Sequence, residues 1–236
     1  MNPGSLREAK EIFLPTKKVV SKLSKVEVVI CPPTLFLESL VSASSSLRHL
    51  SIGGQDAFWE PDGPYTGQIS AAMLRKVGAE YVILGHSEKR ALGEADGQIN
   101  LKVKAALKEG LRVILCVGEQ TRDDHGFYLK MLKQQVEEGL KNVQRKFLNQ
   151  LVIAYEPVWA IGINAKASDT PAGFHEQALF IKKIVSVIFG NGAAHSLPVL
   201  YGGSVSTKNA ASFLTEGQAD GLLVGRASLE PTDFVE

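Results

Sequence analysis

Cysteine is scarce in this 236-residue chain: Cys31 and Cys116 are the two it contains, each at the end of an apolar run. Two thiols so placed read as free cysteines of a reducing compartment rather than as a disulfide framework. Neither sign of charge dominates, since 26 basic residues face 25 acidic ones for a formal net charge of +1. That balance gives no reason to expect a nucleic-acid surface or an acidic tail. Long apolar runs are missing as well. The longest, such as LRVILCV at 111–117, fall far short of the ~20 residues that span a bilayer. Met1 is followed by Asn-Pro-Gly-Ser and not by a basic and then apolar stretch, so no leader is expected. No linker rich in Ser, Gly or Pro divides the chain. The expectation is a single α/β domain over 1–236, cytoplasmic, with no membrane or nucleic-acid partner.

What the chain has is rhythm. Short β-rich runs recur at 26–30 (VEVVI), 50–54 (LSIGG), 81–84 (YVIL), 111–117 (LRVILCV), 151–155 (LVIAY), 198–201 (PVLY) and 220–225 (DGLLVG). Helical stretches lie between most of them. In 127–147, Leu129, Leu132, Val136, Leu140 and Val143 recur at three- and four-residue spacing, which predicts an amphipathic helix. Gly78 and Gly110 stand where a left-handed cap ends a helix before the next strand. Ser5 followed by Glu8 is a capping-box pattern, and Pro15 is expected to end or kink the helix that follows. Unbroken apolar strands alternating with helices belong to a parallel sheet covered by helices.

Glu156 stands at the lip of the buried-looking run LVIAY and is followed at once by Pro157. A buried, unpaired carboxylate is costly, so it needs a partner or a task. In parallel α/β folds reacting groups collect at the C-terminal ends of strands. Those positions hold Gln55-Asp56, Gly85-His86-Ser87-Glu88, Cys116 with Glu119, Glu156, Gly202-Gly203-Ser204 and Gly225-Arg226. The glycine-bearing turns at 202–203 and 225, with Gly162 after Glu156, form a cradle of N–H groups suited to an oxyanion such as phosphate. A lone Gly-Gly after a strand is usually a tight turn. Several at one rim beside a His and a Glu favour an enzyme site. The remaining histidines, His49, His125, His175 and His195, read as surface or helix-end residues, and Asp96 with Lys102 and Lys104 as a helix start and its solvated face.

The motifs AYEPVWAIG (154–162), LGHSEKR (84–90), LYGGSV (200–205), GLLVGRAS (221–228), CVGE (116–119) and GPYTGQIS (63–70) occur in this order. On them the chain resembles the triosephosphate isomerase family along its whole length. For that family a Glu base, a neutral His electrophile and a closing loop are the known pattern. The resemblance implies a TIM (β/α)8 barrel that interconverts dihydroxyacetone phosphate and D-glyceraldehyde 3-phosphate, with a phosphorylated triose as substrate and no metal or organic cofactor. By position it makes Glu156 the proton-moving base, His86 the donor to the carbonyl and enediolate oxygen, and Glu88 a carboxylate beside an active-site lysine. It places the phosphate at Gly162, Gly203, Ser204, Gly225 and Arg226. It further implies a lid beginning at Pro157 and a homodimer through loop 62–68.

Departures from the family pattern carry expectations of their own. Family members open with a strand ending in Asn-x-Lys, whereas this sequence begins MNPGSLREAK. The first β-strand is therefore expected to be missing, with its catalytic Asn and Lys, leaving open edges at 26–30 and 220–225 and an impaired catalyst. The lid tip carries Ile163-Asn164-Ala165 in place of Thr-Gly-Lys, in a connection about two residues longer. Arg226 replaces the second glycine of the last phosphate turn. A competing reading is a catalytically weak phosphate-binding or structural barrel that keeps the motifs as inheritance.

Overall fold

The computed structural model describes residues 2–44, 47–123, 125–161 and 169–236. Elements follow the chain as α1 (Leu6–Val20), β1 (Val28–Ile30), α2 (Thr34–Ser44), β2 (Leu50–Gly54), α3 (Ala71–Val77), β3 (Tyr81–Leu84), α4 (Ser87–Ala91), α5 (Asp96–Lys108), β4 (Arg112–Val117) and α6 (Phe127–Gly139). They continue with β5 (Leu151–Tyr155), α7 (Pro171–Phe189), α8 (Asn191–Ser196), β6 (Val199–Tyr201), α9 (Ala210–Thr215), β7 (Gly221–Leu222) and α10 (Pro231–Val235). One parallel sheet of seven strands runs in strict order from β1 to β7. This is the expected barrel architecture, and among the described residues β1 and β7 are its two edges.

Alternate strand residues divide between two cores. Tyr81, Ile114, Cys116, Val152 and Ala154 pack with Val29, Ile83, Leu200 and Leu223 on one face of the sheet. Val113, Leu115, Val117, Leu151, Ile153 and Tyr155 belong to the larger core shared with the helices. Both faces are covered, which is why the strands read as continuous apolar runs rather than alternating ones. Strand register fixes the level of the site. Leu84 pairs with Leu115, Val117 with Tyr155, Tyr155 with Tyr201, and Tyr201 with Leu222. The residues that follow these strands therefore emerge at a common rim.

The predicted edge strands are shorter than expected. The run 26–30 pairs only from Val28, because Glu27 turns away to accept from the Tyr81 hydroxyl at 2.5 Å and to hold Arg112 at 2.8 Å. The run 220–225 pairs in register only at Gly221 and Leu222, flanked by single bonds from Asp220 N to Val199 O and from Leu223 N to Tyr201 O, while the Asp220 carboxylate accepts from the Val199 N–H. Pro15 does not end α1, which continues to Val20. Burial of Ala9, Ile12, Phe13, Thr16 and Val20 along one face outweighs the amide hydrogen bond that proline removes. The capping pattern holds: Ser5 Oγ accepts from Glu8 N, and Glu8 accepts from the Ser5 hydroxyl and from Gly4 N. Gly78 caps α3 at φ 104°.

The reading of Lys102 as part of a solvated face is wrong. Lys102 is 5% exposed, and its ammonium pairs with Asp56 at 2.7 Å and with Glu94. Asp56 also pairs with Lys89 at 2.9 Å. A lysine with two carboxylates can enter a core that a lone one cannot.

Candidate active site

His86 and Glu156 meet at the rim. β3 ends at Leu84, Gly85 adopts φ 71°, and His86 becomes the N-cap of α4. Its Nδ1 accepts from Glu88 N at 3.3 Å, which leaves the ring proton on Nε2. Nε2 lies 3.0 Å from Oε1 of Glu156. Burial works against an imidazolium here. The hydrogen bond and charge of Glu156, with the charge of Glu88, outweigh burial and leave the His86 pKa above its ordinary value. The direction differs from what a helix N-terminus alone would produce, because α4 has five residues and the carboxylate touches the ring directly.

Glu156 is 3% exposed, directly after β5. Its second oxygen, Oε2, accepts from Ser87 N at 2.8 Å. The carboxylate thus has a partner for each oxygen, which answers how it tolerates burial. Its backbone is pinned on both sides: Glu156 N donates to Val117 O and Gly202 N to Tyr155 O, each at 2.8 Å. Neighbouring glycines make that approach possible. A methyl group on Gly118 would stand 1.8 Å from the Glu156 carbonyl oxygen, and one on Gly202 would stand 3.0 Å from its Cγ. Cys116 lies below, its thiol pushed well up by burial, with the Glu156 charge adding to the shift. A thiol held neutral is packing, not a nucleophile. Cys31 and Cys116 are both free, as expected.

The other expected site residues fall into three groups. Gly203 is buried and Ser204 exposed after β6, and the Ser204 hydroxyl donates to Ala160 O at 2.8 Å, tying that turn to the one after Glu156. Gly225 and Arg226 are exposed after β7, with Arg226 opening a 3-10 turn. Glu88 turns outward with its side chain 89% exposed and approaches His86 Nδ1 at 3.8 Å. Gly162 and the tip Ile163-Asn164-Ala165 lie outside the described residues.

Sequence reasoning missed the Ser87 N–H, which has no side-chain signal, and a polar cluster behind Glu156. Glu119 is fully buried after β4, and its Oε1 accepts from Tyr155 Oη at 2.7 Å and Trp159 Nε1 at 2.9 Å. Burial, then Glu119, hold the Tyr155 phenol far above its ordinary pKa. Glu119 in CVGE was visible as a strand-end carboxylate; its partners come from the other side of the site and could not be read locally.

A profile of triosephosphate isomerase matches residues 1–236. The triosephosphate isomerase of Moorella thermoacetica is 41% identical over 233 residues, covering 98% of this chain and 92% of that one. That of Dictyoglomus thermophilum is 42% identical over 212 residues, covering 88% and 83%. A crystal structure of triosephosphate isomerase from Bartonella henselae superimposes with a TM-score of 0.86 at 33% identity, covering 99% of this chain and 94% of that one.

Proposed function

Since this chain belongs to the triosephosphate isomerase family, we propose that it interconverts dihydroxyacetone phosphate and D-glyceraldehyde 3-phosphate through an enediolate. The observation that carries the reading is the 3.0 Å contact between His86 Nε2 and Glu156 Oε1 at the strand-end rim. A carboxylate largely removed from water is a stronger base toward a carbon acid, and Glu156 takes the proton from one carbon and returns it to its neighbour. The Nε2–H of His86 donates to the carbonyl oxygen as negative charge gathers there. For this the substrate oxygen must come between the ring and the carboxylate. Separation from Glu156 removes the main support for an imidazolium, so the ring works as the neutral donor.

The N–H groups of Gly203, Ser204 and Gly225 are the proposed phosphate cradle, joined by Gly162. Arg226 stands at the end of that cradle, where its guanidinium can face the anion. Glu88, open to solvent, exerts a screened influence through His86. The strand-end lysine implied by the resemblance is not among residues 1–236, and the roles assigned here are confined to groups those residues supply. The reading takes no cofactor, a cytoplasmic setting, and a homodimer through loop 62–68, a stretch exposed along its length with Tyr65 against Phe58 at 4.8 Å. Among the described residues no helix is long and apolar enough to cross a membrane.

A coupled dehydrogenase assay run from the ketose tests the activity. Turnover is expected in the parent and a fall of about 10²–10⁴-fold in Glu156→Gln, the range a general base contributes. Equal rates in the two proteins would refute the assignment of Glu156. No rate above buffer in a folded parent would instead favour a phosphate-binding barrel without catalysis.

A further inference from the structure

Two buried carboxylates near the site carry oxygens without hydrogen-bond partners: Oε2 of Glu119 and Oδ2 of Asp169. Neither belongs to the machinery above. Glu119 follows β4, and Asp169, 7% exposed, precedes the Thr170 cap of α7. One guanidinium lies near both, and it contacts Glu119. Arg122 has an open backbone but a side chain folded inward, 29% exposed. Its Nε lies 3.5 Å from Glu119 Oε1, and its Nη2 donates to Tyr155 Oη at 3.2 Å. Nη1 of Arg122 and Oδ1 of Asp169 lie 3.5 and 2.7 Å from a single point, where a Cβ on Gly173 would stand. The guanidinium also covers the Trp159 ring at 5.0 Å and the Tyr128 ring at 5.2 Å.

We infer that Arg122 is a positioning residue that holds the start of the β5–α7 connection against the turn after β4, with its charge near Asp169 at the far end, and thereby sets the pose of Glu156. The path is short. Arg122 supports Glu119 and Trp159, Glu119 O accepts from Val158 N at 3.1 Å, and Val158 is two residues from Glu156. On the far side the same cation faces Asp169, where the chain enters α7. Charge makes the arrangement interdependent. Removing a cation from between buried carboxylates leaves them mutually repelling and unsolvated, which strains whatever carries them. Burial raises the Asp169 pKa, and the Thr170 N–H and the Arg122 charge work against that rise. Cation–π contacts with Trp159 and Tyr128 accompany polar contacts to Glu119 and Tyr155, a combination that suits a guanidinium better than an ammonium.

The kinetic readout rests on the isomerase reading; the optical one does not. The experiment compares parent, Arg122→Met, Arg122→Lys, Asp169→Asn and the Arg122→Met/Asp169→Asn double variant, all in a Trp59→Phe background so that emission reports Trp159. Loss of a charged hydrogen-bonding group is expected to lower kcat about tenfold in Arg122→Met, with KM changed less than about twofold and a shifted Trp159 emission. Arg122→Lys should fall between. Asp169→Asn should restore part of kcat and emission when added to Arg122→Met, because it removes one of the two buried charges left without the cation. A stem that merely fills space would not be rescued by a change of charge at Asp169. Parent-like kcat and emission in Arg122→Met, or a deeper loss in the double variant, would overturn the inference. Should the parent itself not turn over, the emission and its rescue still decide the role of Arg122, and only the isomerase reading fails.

Discussion

Nε2 of His86 and Oε1 of Glu156 stand 3.0 Å apart, so the proposed donor and base hydrogen-bond one another. The contact raises the His86 pKa above its ordinary value of 6.5. A histidine whose pKa rises on folding stabilises the folded state while protonated. That contribution is complete below pH 6.5 and is lost as pH climbs through the folded value. The thermal midpoint is therefore expected to decline from pH 6.5 upward across that window. In Glu156→Gln the decline should flatten, and a slope unchanged by that substitution would remove the pair as its source.

Ser204 joins two turns through its bond to Ala160 O. In Ser204→Ala one ordinary hydrogen bond of about 1 kcal/mol disappears, and with it the tie that holds the Ser204 turn of the proposed phosphate cradle in place. KM is expected to rise about fivefold while kcat stays within about twofold, as for lost uniform binding. Steady-state kinetics in both directions measure it, and an unchanged KM would mean that this tie does not hold the cradle.

Gly203 leaves no space for a side chain. A Cβ there would meet Tyr201 Oη at 2.2 Å and Cζ at 2.5 Å, and the Tyr201 ring is stacked on Phe213 at 3.6 Å. Gly203→Ala is expected to destabilise by about 1–3 kcal/mol as an overpacked core. Adding Tyr201→Phe, which deletes the nearest atom, should return part of that loss in urea titrations. No recovery would mean the strain lies in the backbone.

Lys102 sits between Asp56 and Glu94, out of water. Replacing it by Met strands the buried Glu94 carboxylate, while Asp56 keeps Lys89; breaking a buried pair in this way typically costs about 3–5 kcal/mol. Chemical denaturation should show a midpoint shift of that size, lessened when Glu94→Gln is added. A neutral result would assign the cluster to the surface after all.

Much of the architecture was legible because the strands are buried on both faces, so VILCV and LVIAY announce themselves without alternation. His86 was legible because it follows a strand and Gly85, and Glu156 because a carboxylate followed by Pro157 stands at the lip of a buried run. Lys102 was not, since a periodic reading assigns lysine to solvent and cannot see Asp56, 46 residues earlier, coming to meet it. Arg122 lies in a loop without periodicity, and its partners Tyr155 and Trp159 come from the end of β5 and the turn after it. The first edge strand was overdrawn for a related reason. Glu27 looks extendable in one dimension, but its carboxylate is engaged by Tyr81 and Arg112.

The close approach at Gly118 bears on time as well as space. With no room for a methyl group beside its carbonyl and amide bonds to flanking strands, the backbone of Glu156 cannot drift. Whatever travel its carboxylate needs between Ser87 and a substrate carbon must come from rotation about its own side-chain bonds. Such hops take on the order of picoseconds to nanoseconds when unobstructed, whereas turnover runs at roughly 1–10³ per second. Rearming the base is therefore a matter of side-chain torsion angles rather than of backbone movement.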